Sequence, residues 1–547
     1  MSTAGTGHGP AVRPRTGKAA LVEQFAADGL TYMFGNPGTV EQGLIDEIAN
    51  SEIDYLLTLH ESVAVGMADG YARATQRPAL VQLHSGVGLG NGIGMLYQAK
   101  RGGSPLVVLA GEAGVRYDAM DSQMAADLVA MARPVTKYAT RVIDPASLLR
   151  VMRRAVKIAM TPPRGPVLVV VPADVLDAIV TDPVVPTVIP DTRVLPEPAV
   201  LAAAAEILAA GRRPLVLFGD GVATSGAQRE LAAVAELLGA PMWGVNSSEV
   251  NVDSRHPLYG GQLGHMFGAD SARTVADADT VLIVGTYVFP EVFPELTSPF
   301  APDARIVHVD LDAYEIAKNH PVELGVVADP RLTLAGLAAR LDRPGRQRPP
   351  RWDGAAPPGD QPGAGTGLMN RFVETLVRRA PDDLVIFDEA LTESGPLAVH
   401  APPRVPGRFF QTRGGSLGVG IPGALGVKLA RPGQQVVGFT GDGGSMYTIQ
   451  ALWTAARHDI AAKFVICNNR RYRLLDLNIE QYWRDEGIPA HLHPGAFDLS
   501  RPAIDFAALA RSLGVPAQRV STPQEVPAAV EELLATPGPF LIDLVTD

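Results

Sequence analysis

"FTGDGGSMYT", Phe439 to Thr448, carries an apolar run into a turn with one acid and three glycines, after which the pattern turns helical. Upstream, "QQVVG" extends the apolar run as a buried strand. Downstream, "IQALWTAARH" has the spacing of an amphipathic helix, and "AKFVIC" is a second buried strand that ends at Asn468 and Asn469. Strand, helix and strand in this order form a crossover between parallel strands, which end on the same edge of a sheet. Asp442 and Asn469 are therefore expected side by side at the carboxyl-end edge, where open α/β sheets bind ligands. A carboxylate, an amide carbonyl and a backbone carbonyl from the turn are hard oxygen donors suited to Mg²⁺ or Ca²⁺, an ion that completes its shell with phosphate oxygens and water. Gly441, Gly443 and Gly444 let backbone N–H groups close on a phosphate at the helix start. An Asp-Gly turn beside an unrelated Asn pair has the same sequence.

The same grain runs through the whole chain. Short β-branched runs alternate with longer Ala/Leu-rich helical periods, the pattern of parallel sheets covered by helices, so the class is α/β in three domains. The first domain is read as 18–181, with strands in "TYMFG", "DYLLTL", "ALVQLH", "PLVVLAG" and "PVLVVV". A Pro-rich extended stretch follows, "TDPVVPTVIPDTRVLPEP". The central domain, 196–342, has strands in "PLVLFGDG", "TVLIVG" and "RIVHVDLD". Pro, Gly and Arg then displace apolar residues over 343–367, a second linker. The third domain, 368–547, contains "DLVIFDE", the Gly-rich turn, "AKFVICNN" and "PFLIDLV". Residues 1–17 are Gly/Thr/Pro/Arg-rich and read as a disordered start without an apolar signal core.

Composition narrows the function. The chain has 547 residues, 46% of them hydrophobic, enough for several cores. Its net charge of −11 comes from scattered residues, with no basic block, which argues against nucleic acid and anionic membrane as partners. No apolar run reaches the length of a membrane span. Cys467 is the only cysteine, which excludes an internal disulfide or a Cys-rich zinc site and points to a reducing, cytoplasmic setting. A small-molecule enzyme fits these limits.

GDG followed, after a helix and a strand, by NN resembles the thiamine diphosphate motif. The resemblance covers nearly the whole chain, with pyrimidine-binding, central and diphosphate-binding domains in the order seen in thiamine-dependent 2-oxo acid decarboxylases, acetolactate synthases and pyruvate oxidases. "FGNPGTVEQ", "LHESVAVGMADGYARAT" and "LHSGVGLGNGIG" are most similar to benzoylformate decarboxylase. The resemblance implies thiamine diphosphate and Mg²⁺ (or Ca²⁺) as cofactors, with Asp442, Asn469 and the carbonyl of Arg471 on the metal. Gly441, Gly443, Gly444, Ser445 and Tyr472 would surround the diphosphate. Glu61 matches the glutamate on the aminopyrimidine ring, where a carboxyl group favours the imino tautomer that forms the thiazolium ylid. An acid at a helix start also stabilises the helix dipole. Leu417 matches the residue that wedges the cofactor into its bent shape, and Gly415 would offer its carbonyl to the pyrimidine amine. Glu389 resembles a position near the diphosphate, although an N-cap cluster has the same look. His84, delivered to the sheet edge by "ALVQL", matches a catalytic histidine that would bind the carboxylate of a 2-oxo acid and relay protons to the enamine left by CO₂ loss. Thr39 and Glu41 match as well, with threonine where the family has serine.

The expected reaction is decarboxylation of a small-molecule 2-oxo acid. Acetolactate synthase-like carboligation, FAD-dependent oxidation and a non-catalytic cofactor-binding relative are the alternatives. Departures from the family bear on the substrate. Val292, in "GTYVFPEVFPEL", falls where the family has a second active-site histidine, for which His265 is a possible substitute from another loop. Asp476 and Asn478 lie where benzoylformate decarboxylase is more apolar and aromatic, which argues against an aryl substrate. Arg470, Arg471 and Arg473 suit either an acidic substrate or a solvated turn. "LFGDGVATSG" lacks the third glycine of a dinucleotide fingerprint and leaves FAD undecided, with absence the favoured reading. In this superfamily the pyrimidine site of one chain faces the diphosphate site of another. That implies a homodimer at minimum and a homotetramer as a dimer of dimers.

Overall fold

The computed structural model describes residues 14–264, 266–343, 349–350, 352 and 367–546. His265 and most of the second linker lie outside the described residues. Each of three domains is built on a six-stranded, wholly parallel sheet. In the first, the spatial order is Asp54–Leu57, Tyr32–Gly35, Ala79–His84, Leu106–Glu112, Val167–Pro172, Tyr138–Arg141. In the second it is Tyr259–Leu263, Met242–Val245, Pro214–Phe218, Thr280–Val284, Arg305–Asp310, Leu324–Val327. In the third it is Phe409–Gln411, Val385–Glu389, Val436–Gly441, Lys463–Asn468, Phe540–Val545, Ala517–Val520.

The central strands are apolar because helices cover both faces. "VLVVVP", Val167–Pro172, is buried at every position. Covering helices show the complementary pattern. Leu148–Met160 turns Leu148, Leu149, Met152, Ala155, Val156 and Ala159 to the core and its basic residues outward.

The first and third domains share one hydrophobic core, in which Val63, Ala64 and Met67 join Phe387, Ala424 and Leu425. The contact is a crossing of two small-residue helices, Glu61–Thr75 and Gly420–Ala430. A Cβ on Gly426 would lie 2.0 Å from the Met67 carbonyl oxygen, so only glycine permits this approach. Arg73 from the first helix ties in the central domain. It donates to the Ser248 carbonyl at 3.0 Å and the Gln411 carbonyl at 3.1 Å, and pairs with Glu249 at 3.3 Å.

Two segments are more ordered than composition suggests. Arg15–Thr16, within the start read as disordered, pairs antiparallel with Ile179–Val180, and Gly17 begins a helix. Both strands are two residues long, too short for a periodic signal. In the linker read over 343–367, the Trp352 N–H donates to the Gly239 carbonyl and its ring packs on the central core. Among the described residues no helix is long and apolar enough to cross a membrane.

Candidate active site

Two groups of side chains stand at the carboxyl-end edges of the first and third sheets. In the third, Gly441 is in register with Cys467, so Asp442 and Asn468–Asn469 leave neighbouring strands together. The two asparagines part ways. Asn468 turns into the sheet and donates to Asp543 at 2.8 Å, whereas Asn469 remains at the edge and its Oδ1 accepts the Arg471 N–H at 3.0 Å. That bond closes a tight turn in which Arg470 adopts φ +56°.

Asp442 is buried, and its Oδ1 accepts the Gly443 N–H at 2.7 Å. Its Oδ2 is buried with no hydrogen-bond partner among the described residues. Burial raises the Asp442 pKa, opposed by the N–H groups of Gly443, Arg470 and Arg471. A cation would reverse the first effect and engage the free oxygen. Tyr472 lays its ring on the turn, and a Cβ on Gly443 would lie 2.3 Å from its Cε1. Ser445 turns back, donating to the Asp442 carbonyl at 2.8 Å.

Glu389 has another place. It lies in register with Thr440, fully buried, and accepts the N–H groups of Gly418 at 2.5 Å and Gly420 at 2.6 Å and the Thr440 hydroxyl at 3.2 Å. Burial pushes its pKa up to about 7 against those donors. Its contacts hold the Gly415–Gly420 turn from behind. Gly415, at φ +75°, is exposed with open space around it, and Leu417 is half-buried on the same turn.

In the first domain Glu41, Glu61 and His84 converge. The strand Ala79–His84 ends at the histidine, whose Nδ1 lies 2.9 Å from Glu41 Oε2. The Gly38 N–H donates to the same oxygen at 3.1 Å, while Oε1 is buried without a partner among the described residues. Burial raises the Glu41 pKa and the His84 ring lowers it. When Glu41 is ionised this bond keeps a proton on Nδ1 and leaves Nε2 for another group. Glu61, the first residue of its helix, accepts from Asn91 Nδ2 at 3.0 Å. A Cβ on Gly88 would meet Glu61 Oε1 at 2.8 Å and His84 Cβ at 3.3 Å, so both side chains border one glycine. Thr39 is exposed at the start of the turn that carries Glu41.

Asn91 was missed by sequence reasoning. Its signal is the spacing Gly88–Asn91 on the helix Ser85–Gly102, which places both on the face toward Glu61. Val292 is 63% exposed on a loop of the central domain beside Phe293, which stacks on Phe267. Among the described residues, no hydrogen bond or ion pair joins the Glu41–Glu61–His84 group to the Asp442–Asn469 group. No cluster of three His, Cys, Asp or Glu side chains suited to a metal occurs there either. One carboxylate with neutral oxygens fits a cation that also binds a diphosphate.

Family models match the chain in order: a thiamine pyrophosphate enzyme N-terminal TPP binding domain over residues 15–131, a central domain over 201–337 and a C-terminal TPP binding domain over 394–544. A benzoylformate decarboxylase of Pseudomonas aeruginosa is 32% identical, covering 97% of this chain and 99% of the relative. An acetolactate synthase large subunit of Parasynechococcus marenigrum is 30% identical over 97% of this chain and 87% of its own. The solved thiamine diphosphate-dependent 4-hydroxybenzoylformate decarboxylase of Rhodococcus jostii RHA1 superposes with a TM-score of 0.85 at 28% identity, covering 97% and 99% of the two chains. Benzoylformate decarboxylase from Polynucleobacter necessarius shares the fold, with a TM-score of 0.86 at 24% identity over 97% and 99%. With matched domains along most of its length and a relative 32% identical over 97% of it, the chain belongs to the thiamine pyrophosphate enzyme family.

Proposed function

We propose that this protein is a thiamine diphosphate- and Mg²⁺-dependent 2-oxo acid decarboxylase. The observation that carries the reading is the buried, unpartnered Oδ2 of Asp442 beside Asn469, at the sheet edge that the family uses for its cofactor. Asp442, Asn469 and the Arg471 carbonyl would hold the cation, with Gly441, Gly443, Gly444, Ser445 and Tyr472 around the diphosphate. Leu417 and the Gly415 carbonyl would contact the rings, and Glu389 shapes the turn that presents them. When bound, thiamine diphosphate supplies a carbon nucleophile and an electron sink for the carboxylate carbon. Glu61 holds a proton at the edge of the pyrimidine. His84, oriented through Nδ1 by Glu41, presents Nε2 to bind the substrate carboxylate and pass a proton, and the Thr39 hydroxyl stands at the same edge.

In this reading the two groups of one site come from different chains, the arrangement that the family resemblance implies. Leu59 and Val87, near Glu61, are 46% and 58% exposed, and Met446 and Tyr447, next to Ser445, are 42% and 55% exposed. Apolar side chains beside both groups fit a homodimer in which each half is covered by the partner, and two such dimers form a tetramer. The single, buried Cys467 agrees with a cytoplasmic setting.

Acetolactate synthase-like carboligation is the second reading, favoured by the 30% identity to an acetolactate synthase large subunit. A panel of 2-oxo acids with product analysis separates the two, since both release CO₂ but one gives a free aldehyde and the other an acyloin-type product. No turnover of any member by cofactor-loaded protein would leave a non-catalytic relative. A cavity of about 750 Å³ at the edge of the central sheet, bordered by Asp220, Tyr287, Asp310 and Arg413, makes the flavin question concrete. An absorption spectrum of the purified protein answers it.

A further inference from the structure

The turn that carries the proposed cation ligands is gripped from outside. Arg471 Nε and Nη2 donate to the two carboxylate oxygens of Asp476 at 2.6 and 2.8 Å. Asp476 is buried, on the first turn of the helix Arg473–Asp485. Its Oδ1 also meets His493 Nδ1 at 2.9 Å, and His493 Nε2 reaches Glu480 at 3.2 Å, one helical turn further along. The Trp483 ring packs beside His493, with centroids 5.5 Å apart. Backbone bonds complete the grip, from the Tyr472 N–H to the Phe497 carbonyl at 2.9 Å and from the Leu499 N–H to the Arg470 carbonyl at 2.8 Å.

These contacts bear on a strained element. Arg470 holds a left-handed conformation at φ +56°, a region that residues with a Cβ adopt only when their surroundings enforce it. The next residue supplies the carbonyl proposed as a metal ligand. A bidentate guanidinium–carboxylate pair fixes orientation as well as distance, and here the carboxylate is largely covered and anchored to a helix while the guanidinium side chain is 39% exposed. The Arg471 side chain thus fixes the direction of its own carbonyl.

We propose that Asp476 is a positioning residue of the cation site, acting through Arg471 on the 469–472 turn. This rests on the reading of Asp442, Asn469 and Arg471 as the cation ligands. Asp476 itself touches neither cation nor substrate.

The test is titration of metal-free protein with Mg²⁺ at saturating thiamine diphosphate, followed by intrinsic fluorescence or calorimetry. Asp476→Asn keeps the shape but not the charge, and is expected to weaken Mg²⁺ by about tenfold to a hundredfold, the usual range for a group that orients a metal ligand. Asp476→Glu should recover part of that loss. In a double-mutant cycle with Arg471→Met, which keeps the carbonyl but removes the fork, the two changes should cost little more together than either does alone. Thermal unfolding without Mg²⁺ controls for general damage. A Mg²⁺ midpoint unchanged in Asp476→Asn overturns the proposal, and so does full additivity in the cycle. A variant that is destabilised without metal yet binds Mg²⁺ normally also overturns it. If wild-type protein binds thiamine diphosphate without a cation, it is the ligand reading that fails.

Discussion

Glu61 and Asp442 provide a direct test of where the site forms. The first begins a helix of the first domain and the second directly follows a strand of the third, and among the described residues no hydrogen bond or ion pair joins the two side chains. If each complete site takes its pyrimidine half from one chain and its diphosphate half from another, Glu61→Gln and Asp442→Ala homodimers both lack an intact site. Random reassortment of equal amounts gives about half hybrid dimers, each with one unaltered site and one doubly altered site, so about a quarter of wild-type sites return. The assay is CO₂ release from a 2-oxo acid substrate after dissociation and reassembly of differently tagged chains, with hybrid content measured by sequential affinity capture. Activity near a quarter of wild type, scaling with hybrid content, is expected. Absence of recovery in demonstrably mixed dimers would place both residues of a site on one chain, and an active monomer by sedimentation would refute the shared site outright.

Other substitutions probe single groups. Asp442→Ala should lose thiamine diphosphate affinity at limiting Mg²⁺, since it removes the only carboxylate of the proposed ligand set; retained affinity in equilibrium binding would reassign the ligands. Glu61→Gln should bind cofactor normally but slow proton exchange at the thiazolium carbon by about 10² to 10⁴, the range for a positioned proton-transfer group, and wild-type exchange rates would remove Glu61 from that role. Glu389 has a folded-state pKa raised from 4.5 to about 7, so its contribution to stability is present below the lower value and lost as pH rises through the upper one. The advantage of wild type over Glu389→Gln should therefore shrink by about 2 to 3 kcal/mol between about pH 5 and about pH 8, and a gap independent of pH in denaturant titrations would contradict the buried titration.

The elements legible in the sequence are those with strong local patterns. "ALVQLH", "VLVVV" and "VVGFTG" are mostly apolar because both faces are covered, and they are central strands. "YATR", "YGGQL", "FFQ" and "AQRV" are sheet-edge strands, partly solvated and without such a run, and no pattern marked them. The pairing of Asp442 with the Asn468–Asn469 edge follows from crossover topology, which spacing reveals. The Glu41–His84 bond spans 43 residues and Asn91–Glu61 spans 30, joining elements whose mutual approach is set by the sheet and not by either segment. Glu389 shows the same limit. Its position at the edge is legible, but its hold on Gly418 and Gly420 depends on how the helix Gly420–Ala430 returns over the strand.

Burial alone does not separate working acids from structural ones, because it raises the pKa of Glu41, Glu389 and Asp442 alike. Hydrogen-bond satisfaction does better. Glu389 meets three donors across both oxygens and has the environment of a scaffold residue. Among the described residues, Glu41, Asp69, Glu291, Asp442 and Asp543 each keep one buried carboxylate oxygen without a donor. Asp69 and Asp543 face arginines, Arg73 and Arg519, each at 4.0 Å, so charge compensates where geometry does not. Glu41 and Asp442 remain, at the two sheet edges where a ligand would supply the missing partner. Glu291 remains too, its other oxygen taken by the Ser271 hydroxyl at 2.5 Å, one residue from Val292. The central domain thus holds an unsatisfied carboxylate turned inward beside Val292, whose own side chain is 63% exposed.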